Sequence, residues 1–313
     1  MAASSPEGEP AEERMTNPSP LHTQDIEDLE DPEDVLASGM FSLYTELPPL
    51  ISIPARAKHF THRGVTVSTA NTNNWQLQAH GIWRSSIHLI NRFQAILDDY
   101  LPQCDPTFLS GLDVLELGAS SGLPGLCFAN QFSPRSMTLS DYPDAAIAAV
   151  ERENITLNPH ISQYTIMKVV PHKWGDPASL FRPSTDKRSQ EPIRKEPEAL
   201  DQYDIIIAAD ILWLPDEHDN LVQTLIQSLK PSRSSFISIV AGLHTGRPPI
   251  EQFLDAARKG GLELRRFIEA KAPLDVDEEQ FPEFREWESM REGETPTDRG
   301  LWLVYPEALI VSI

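Results

Sequence analysis

The chain has few cysteines, little basic charge and no long apolar run, and each shortage removes a class of protein. Two cysteines, Cys104 and Cys127, are too few for a disulfide framework or a zinc site, and they suit a reducing compartment. Lys and Arg number 26 against 47 Asp and Glu, a formal net charge of −21. A nucleic-acid-binding surface would be basic, so no nucleic-acid partner is expected. No uninterrupted apolar run reaches bilayer length, so no membrane span is expected. The first residues are polar and acidic, without the apolar segment of a signal peptide, so a cytoplasmic location is expected. Hydrophobic residues make up 40% of the 313, enough for a sizeable core.

Residues 1–30 are rich in Glu, Asp, Pro and Ser. They cannot bury enough apolar surface to offset their ordering entropy, so a disordered acidic tail is expected there. Residues 31–110 read as an extension packing on the core. In it, Asp34–Phe41 suits a short helix or turn, and His62–Ser68 reads as an edge strand after a turn, packing as a lid or hairpin. Ile82, Ile87, Leu89, Ile90, Phe93, Ile96 and Leu97 recur at helical spacing within Gln78–Tyr100. His80 and His88 lack metal-ligand spacing, and no metal is expected.

From 111 to 313 strands and helices alternate. Strands are expected at Asp113–Leu117, Ser136–Leu139, Tyr164–Val170, Tyr203–Ala209, Phe236–Val240 and Leu262–Phe267, with Leu301–Tyr305 and Leu309–Ile313 ending the sheet. Helices are expected at Pro124–Asn130, Asp144–Leu157, Leu221–Leu229 and Ile250–Ala257. Arg182–Ala199 and the acidic Asp275–Asp298 read as surface loops. Such alternation predicts an α/β, Rossmann-like, mostly parallel sheet with helices on both faces and right-handed crossovers.

The chain is organised around Asp113–Gly125, DVLELGASSGLPG. A short apolar strand breaks into small residues, and a helix can begin at Pro124. The glycines Gly118, Gly122 and Gly125 do not fit the dinucleotide spacing G-x-G-x-x-G. Gly118–Gly122 does fit G-x-S-x-G, the nucleophile elbow of a hydrolase, with Ser120 as nucleophile and Asp210 with His218 or His244 completing a triad. A third reading gives weight to Glu116. A carboxylate at the strand end suits S-adenosylmethionine, which carries an ammonium and a sulfonium. Asp141 favours this third reading. An acidic residue ending the next strand, about twenty residues past a glycine turn, is where a ribose diol is held; its bland role is a helix N-cap. Gly118–Gly122, Asp141, Trp174 and Ala209–Asp210 all fall at carboxyl ends of expected strands, where ligands bind such sheets.

These residues carry a resemblance. Glu116–Gly122 (ELGASSG), Ser140–Asp144 (SDYPD), Trp174-Gly175 and Ala208–Trp213 (AADILW) resemble the seven-β-strand S-adenosylmethionine-dependent methyltransferases. Within them the chain is similar to the methyltransferase-16 group, in its fungal nicotinamide N-methyltransferase-like branch, which includes an elongation factor N-terminal and lysine methyltransferase. Asp31–Ser38 also looks like the opening of that branch. The resemblance implies a seven-stranded sheet with an antiparallel final strand, S-adenosyl-L-methionine as cofactor, and a protein amine, such as one on a translation factor, as substrate.

It also implies site roles. Gly118, Ala119 and Ser120 would line the methionine moiety and Asp141 would take both ribose hydroxyls. Trp83 and Trp174 would border the amino-acid and adenine ends, and Ala209 would touch the cofactor. Asp210 and Trp213 would be the acidic and aromatic members of the family's substrate motif. The chain departs from the pattern at Ser120, where glycine is usual, at Trp213, where Tyr or Phe is usual, and in the extra loop Arg182–Ala199. These departures keep open a catalytically weak relative that binds a protein partner. Transfer to an amine needs an aligned, unprotonated nucleophile and little water. Asp210 could orient the amine and Trp213 could wall its channel.

Overall fold

Short apolar strands alternating with helices through most of the described chain wind into one main sheet with a helix layer on either face. The structure is a computed structural model. It describes residues 59–72, 77–102, 106–176, 202–232, 234–243, 245–272, 283–295, 298 and 301–311. The expected acidic tail, the helix at Asp34–Phe41, the loop Arg182–Ala199, Cys104 and His244 lie outside the described residues.

A hairpin comes first, β1 (Phe60–His62) and β2 (Val65–Val67), then helix α1 (Arg84–Tyr100) and one helical turn, α2 (Pro106–Leu109). The alternating part follows: β3 (Asp113–Leu117), α3 (Leu123–Phe132), β4 (Ser136–Ser140), α4 (Ala145–Leu157), β5 (Ile166–Val169) and β6 (Ile205–Ala209). It ends with α5 (His218–Ser228), β7 (Phe236–Gly242), α6 (Arg247–Lys259), β8 (Leu262–Lys271), β9 (Phe284–Glu286) and β10 (Trp302–Val311). The sheet order is β5-β4-β3-β6-β7-β10-β8-β9. Strands β5, β4, β3, β6 and β7 pair in parallel, and the final strand β10 runs antiparallel between β7 and β8.

The sheet therefore has eight strands where seven were expected. The eighth is β9, antiparallel to β8 at the edge and inside the stretch read as an acidic loop. Its sequence, Phe-Arg-Glu, has no apolar alternation to announce it. Arg285 reaches across to Glu269 on β8, so an ion pair accompanies the backbone ladder there. The last strand is also single rather than two pieces, with a bulge between Glu307 and Leu309 absorbing the irregularity.

Residues on β6 alternate between two cores, as the pleat requires. Ile205 and Ile207 meet Ile87, Phe93, Leu126 and Phe128 of α1 and α3. Ile206 and Ala208 meet Leu221, Leu225 and Phe253 of α5 and α6. Helix α1 and the hairpin thus share the core of the sheet. Val65 and Val67 are buried in it, and Asn154 of α4 and Asn158, which caps its C-terminus, accept the backbone N–H groups of Ser68 and Thr66 at 2.8 and 2.9 Å. The carboxyl ends of β3, β4 and β6 lie side by side, where the chain makes its tight turns.

Candidate active site

The turn after β3 is built from three left-handed residues, Gly118 (φ +66), Ser120 (φ +49) and Gly122 (φ +71). Glycine is needed at 118: a Cβ there would lie 2.5 Å from Cγ2 of Ile211. Ser120 holds the same conformation against its preference. Its hydroxyl donates to the Ala79 carbonyl (3.0 Å) and its N–H donates to Asp141 Oδ2 (2.7 Å), which fixes it.

Asp141 stands at the end of β4 as expected and is not the helix cap. That role belongs to Asp144, whose Oδ1 accepts from Ala146 and Ile147 at 2.7 and 3.2 Å. Oδ1 of Asp141 accepts the Tyr142 N–H at 2.7 Å, so each oxygen keeps lone pairs for a further donor. Burial pushes its carboxyl up to about 6, against the two N–H groups that favour the charged form.

The turn, Asp141 and the end of β6 open on a cavity of about 400 Å³, within the range that takes a small molecule. Trp83, Gly118, Ser120, Asp141, Trp174, Ala209, Asp210 and Trp213 all line it. Trp83 donates its Nε1–H to the Gln78 carbonyl at 3.1 Å. Trp213 is half-buried, and Trp174 leans on the core of α5 and α6.

Two expected cofactor residues, Glu116 and Ala119, do not line the cavity. Glu116 is 1% exposed and sits behind the turn, where Oε2 accepts the Gly125 N–H at 2.8 Å. Strand alternation turns it towards α3, so it braces the first turn of that helix and cannot reach a ligand's ammonium directly. Burial pushes its carboxyl well above the usual range. Ala119 is 3% exposed and packed in the core of α1 and α3.

Asp210 is left-handed (φ +59), which Asp tolerates better than most residues. Its Oδ2 accepts the Ser85 hydroxyl at 2.8 Å and its Oδ1 the Gly242 N–H at 2.9 Å. It thereby ties the start of α1 to the end of β7 while facing the cavity. Sequence reasoning missed Gln78, Tyr142, His172, Lys173, Asp216 and Glu217, which also line it. Gln78 shares the unusual positive φ, but only coordinates reveal that.

The hydrolase triad is not assembled among the described residues. Ser120 spends its proton on Ala79, while the buried His218 ring donates to the Leu212 carbonyl at 3.1 Å and packs on Phe253. The cavity's charged lining is Asp141, Asp210, Asp216 and Glu217, with Lys173 as its cation. That balance fits a ligand carrying positive charge, such as S-adenosylmethionine, and disfavours a dinucleotide's phosphates. A glycine cradle too tight for a side chain and a half-buried carboxylate beside it fit the nucleoside end of the same molecule.

A Rossmann-like sheet with the reversed strand β10 between β7 and β8 carries this cavity at the carboxyl ends of its parallel strands. The family model described as lysine methyltransferase matches residues 69–258, and the chain belongs to that family. The protein N-terminal and lysine N-methyltransferase efm7 of Aspergillus fumigatus is 26% identical over 220 residues, covering 69% of this chain and 77% of that one. Its counterpart in Neurospora crassa is 27% identical over 247 residues, covering 76% and 80%. Among solved structures, the mitomycin 7-O-methyltransferase MmcR is similar at 13% identity and TM-score 0.42, covering 76% of this chain and 57% of that one.

Proposed function

We propose that the chain transfers a methyl group from S-adenosyl-L-methionine to an amine of a protein, an N-terminal amine or a lysine. The observation that carries this is Asp141, held by two backbone N–H groups beside the Gly118–Ser120 turn on an acidic, aromatic-walled cavity. The relatives' printed activity supports the amine. The bound cofactor would supply an electrophilic methyl group on a sulfonium.

Asp141 would accept the ribose hydroxyls on its remaining lone pairs. Trp83 and Trp174 would border the amino-acid and adenine ends, with Gly118, Ser120 and Ala209 between them. Asp210, fixed by Ser85 and Gly242, would accept an N–H of the incoming amine and hold its lone pair towards the methyl group. Trp213 would exclude water from the channel and favour a cationic or methylated amine on its face. Asp216 and Glu217 at the same cavity would attract a basic segment of the protein substrate.

The test is transfer of labelled methyl from S-adenosylmethionine to proteins of a lysate, for wild type and Asp210→Ala. Labelled protein amines that depend on Asp210 support the reading. No transfer by wild type, with the cofactor bound, contradicts it.

A further inference from the structure

Trp174 stands on a short turn, Pro171–Asp176, with no helix or strand of its own. The N–H of His172 donates to the Asp141 carbonyl at 2.7 Å, which ties the turn to β4 on one side. On the other side lies α5. The His172 ring Nε2 is 3.1 Å from Oγ1 of Thr224, and the Gly175 N–H donates to the same oxygen at 2.9 Å. One hydroxyl therefore meets the residues two before and one after Trp174. His172 and Thr224 are both 1% exposed, so no water competes for these bonds.

The fit is tight as well as bonded. Gly175 is left-handed (φ +77), and a Cβ there would lie 2.6 Å from Oδ1 of Asn220, one turn earlier on α5. Asn220 donates in turn to Oε2 of Glu217, a cavity residue, at 2.8 Å. Burial lowers His172 to about 4, so the ring is neutral near pH 7. A neutral ring can take the Thr224 proton on Nε2 while the hydroxyl accepts from Gly175.

We propose that Thr224 is a positioning residue that latches the Lys173–Gly175 turn through His172 and Gly175 and so holds Trp174 against the adenine end of the cofactor. The proposal rests on reading the cavity as the S-adenosylmethionine site. The latch sets affinity for the adenosine part of the molecule and touches neither the methionine part nor the amine.

The test is Thr224→Val, which removes the hydroxyl and keeps the shape, beside Thr224→Ser. S-adenosylmethionine, S-adenosylhomocysteine and 5′-methylthioadenosine are each titrated into the three proteins. Amide exchange over residues 172–176 is followed without ligand. Loss of a buried hydrogen bond predicts that all three ligands weaken together by about tenfold in the valine variant. The exchange quickens, the loss appears in KM for the cofactor rather than in kcat, and serine restores both.

Wild-type affinities in Thr224→Val overturn the proposal. So does weakening confined to the two ligands that carry the amino-acid part. If wild type binds none of the three, the functional reading falls instead, and exchange at Gly175 still decides whether Thr224 holds the turn.

Discussion

The protein buries carboxylates in two places and treats them in opposite ways. At the antiparallel edge, Glu269 is fully buried and accepts from Arg247 at 2.8 and 3.1 Å and from Arg285 at 2.7 Å, with Arg291 at 3.4 Å. Glu294 closes the cluster against Arg247 and Arg285. These arginines outweigh burial and hold Glu269 below the usual carboxylate range. Around the carboxyl ends of β3 and β4, Glu116, Asp141 and, on α4, Glu151 have backbone N–H groups or less as hydrogen-bond partners. Burial raises all three, and Oε1 of Glu151 has no hydrogen-bond partner. The edge supplies its own counter-charge and is a structural joint. At the cavity end burial outweighs the partners and favours the protonated forms, and of the three only Asp141 lines the cavity, where its charge forms above about 6.

Removing a carboxylate should therefore have different consequences at the two ends. The largest loss of stability belongs to Glu269→Ala, which leaves buried Arg247 short of its partner. It is expected to cost about 3 kcal/mol in urea unfolding, with cofactor affinity of the folded protein within a few-fold of wild type. Asp141→Asn is expected to do the reverse: cofactor affinity falls about a hundredfold, as for a charged hydrogen bond lost, while the loss of one of its two backbone N–H partners costs stability only about 1 kcal/mol. A fall in affinity from the first, or a loss of stability from the second as large as from the first, would erase the distinction.

The two ends also titrate with opposite sign. Burial pushes the Glu151 carboxyl up from the usual 4.5 to about 8. Between these values the folded state holds a proton that the unfolded state lacks. Its contribution is complete below about 4.5 and is lost as pH rises through 8. Glu151→Gln is thus expected to be more stable than wild type by several kcal/mol at pH 8.5, and equal to it near pH 4. Glu269 behaves oppositely: its contribution is present above the usual carboxylate range and is lost as pH falls through its lowered value. Unfolding curves of both variants across pH check the signs. The smallest effect is expected from Ser120→Gly, which relieves a left-handed residue but loses the bond to Ala79. Stability should stay within about 1 kcal/mol, and methyl transfer should persist, as a nucleophilic serine would not allow.

The cavity end was legible in the sequence because its signals are local. The strand Asp113–Leu117, the glycine turn and Asp141 lie within thirty residues, and the turn's conformation is written in residue type. Glu116 was legible as a carboxylate at the strand end but not in its direction, since strand alternation and the Gly125 N–H decide that together. Ser85, His172 and Thr224 were not legible. Each acts through a partner 49 or more residues away, and nothing in its own neighbourhood marks it. The same holds for β9, where an ion pair to Glu269 accompanies the ladder in place of an apolar pattern.

The most direct measurement is calorimetric titration of the protein with S-adenosylmethionine and S-adenosylhomocysteine at pH 5 and pH 8, beside Asp141→Asn. The reading of Asp141 as the ribose carboxylate predicts micromolar binding that tightens from pH 5 to pH 8 as Asp141 ionises through about 6, and that is largely lost in the variant. Binding that is absent at both pH values, or that is indifferent to Asp141, would contradict the assignment of Asp141 to the cofactor's ribose.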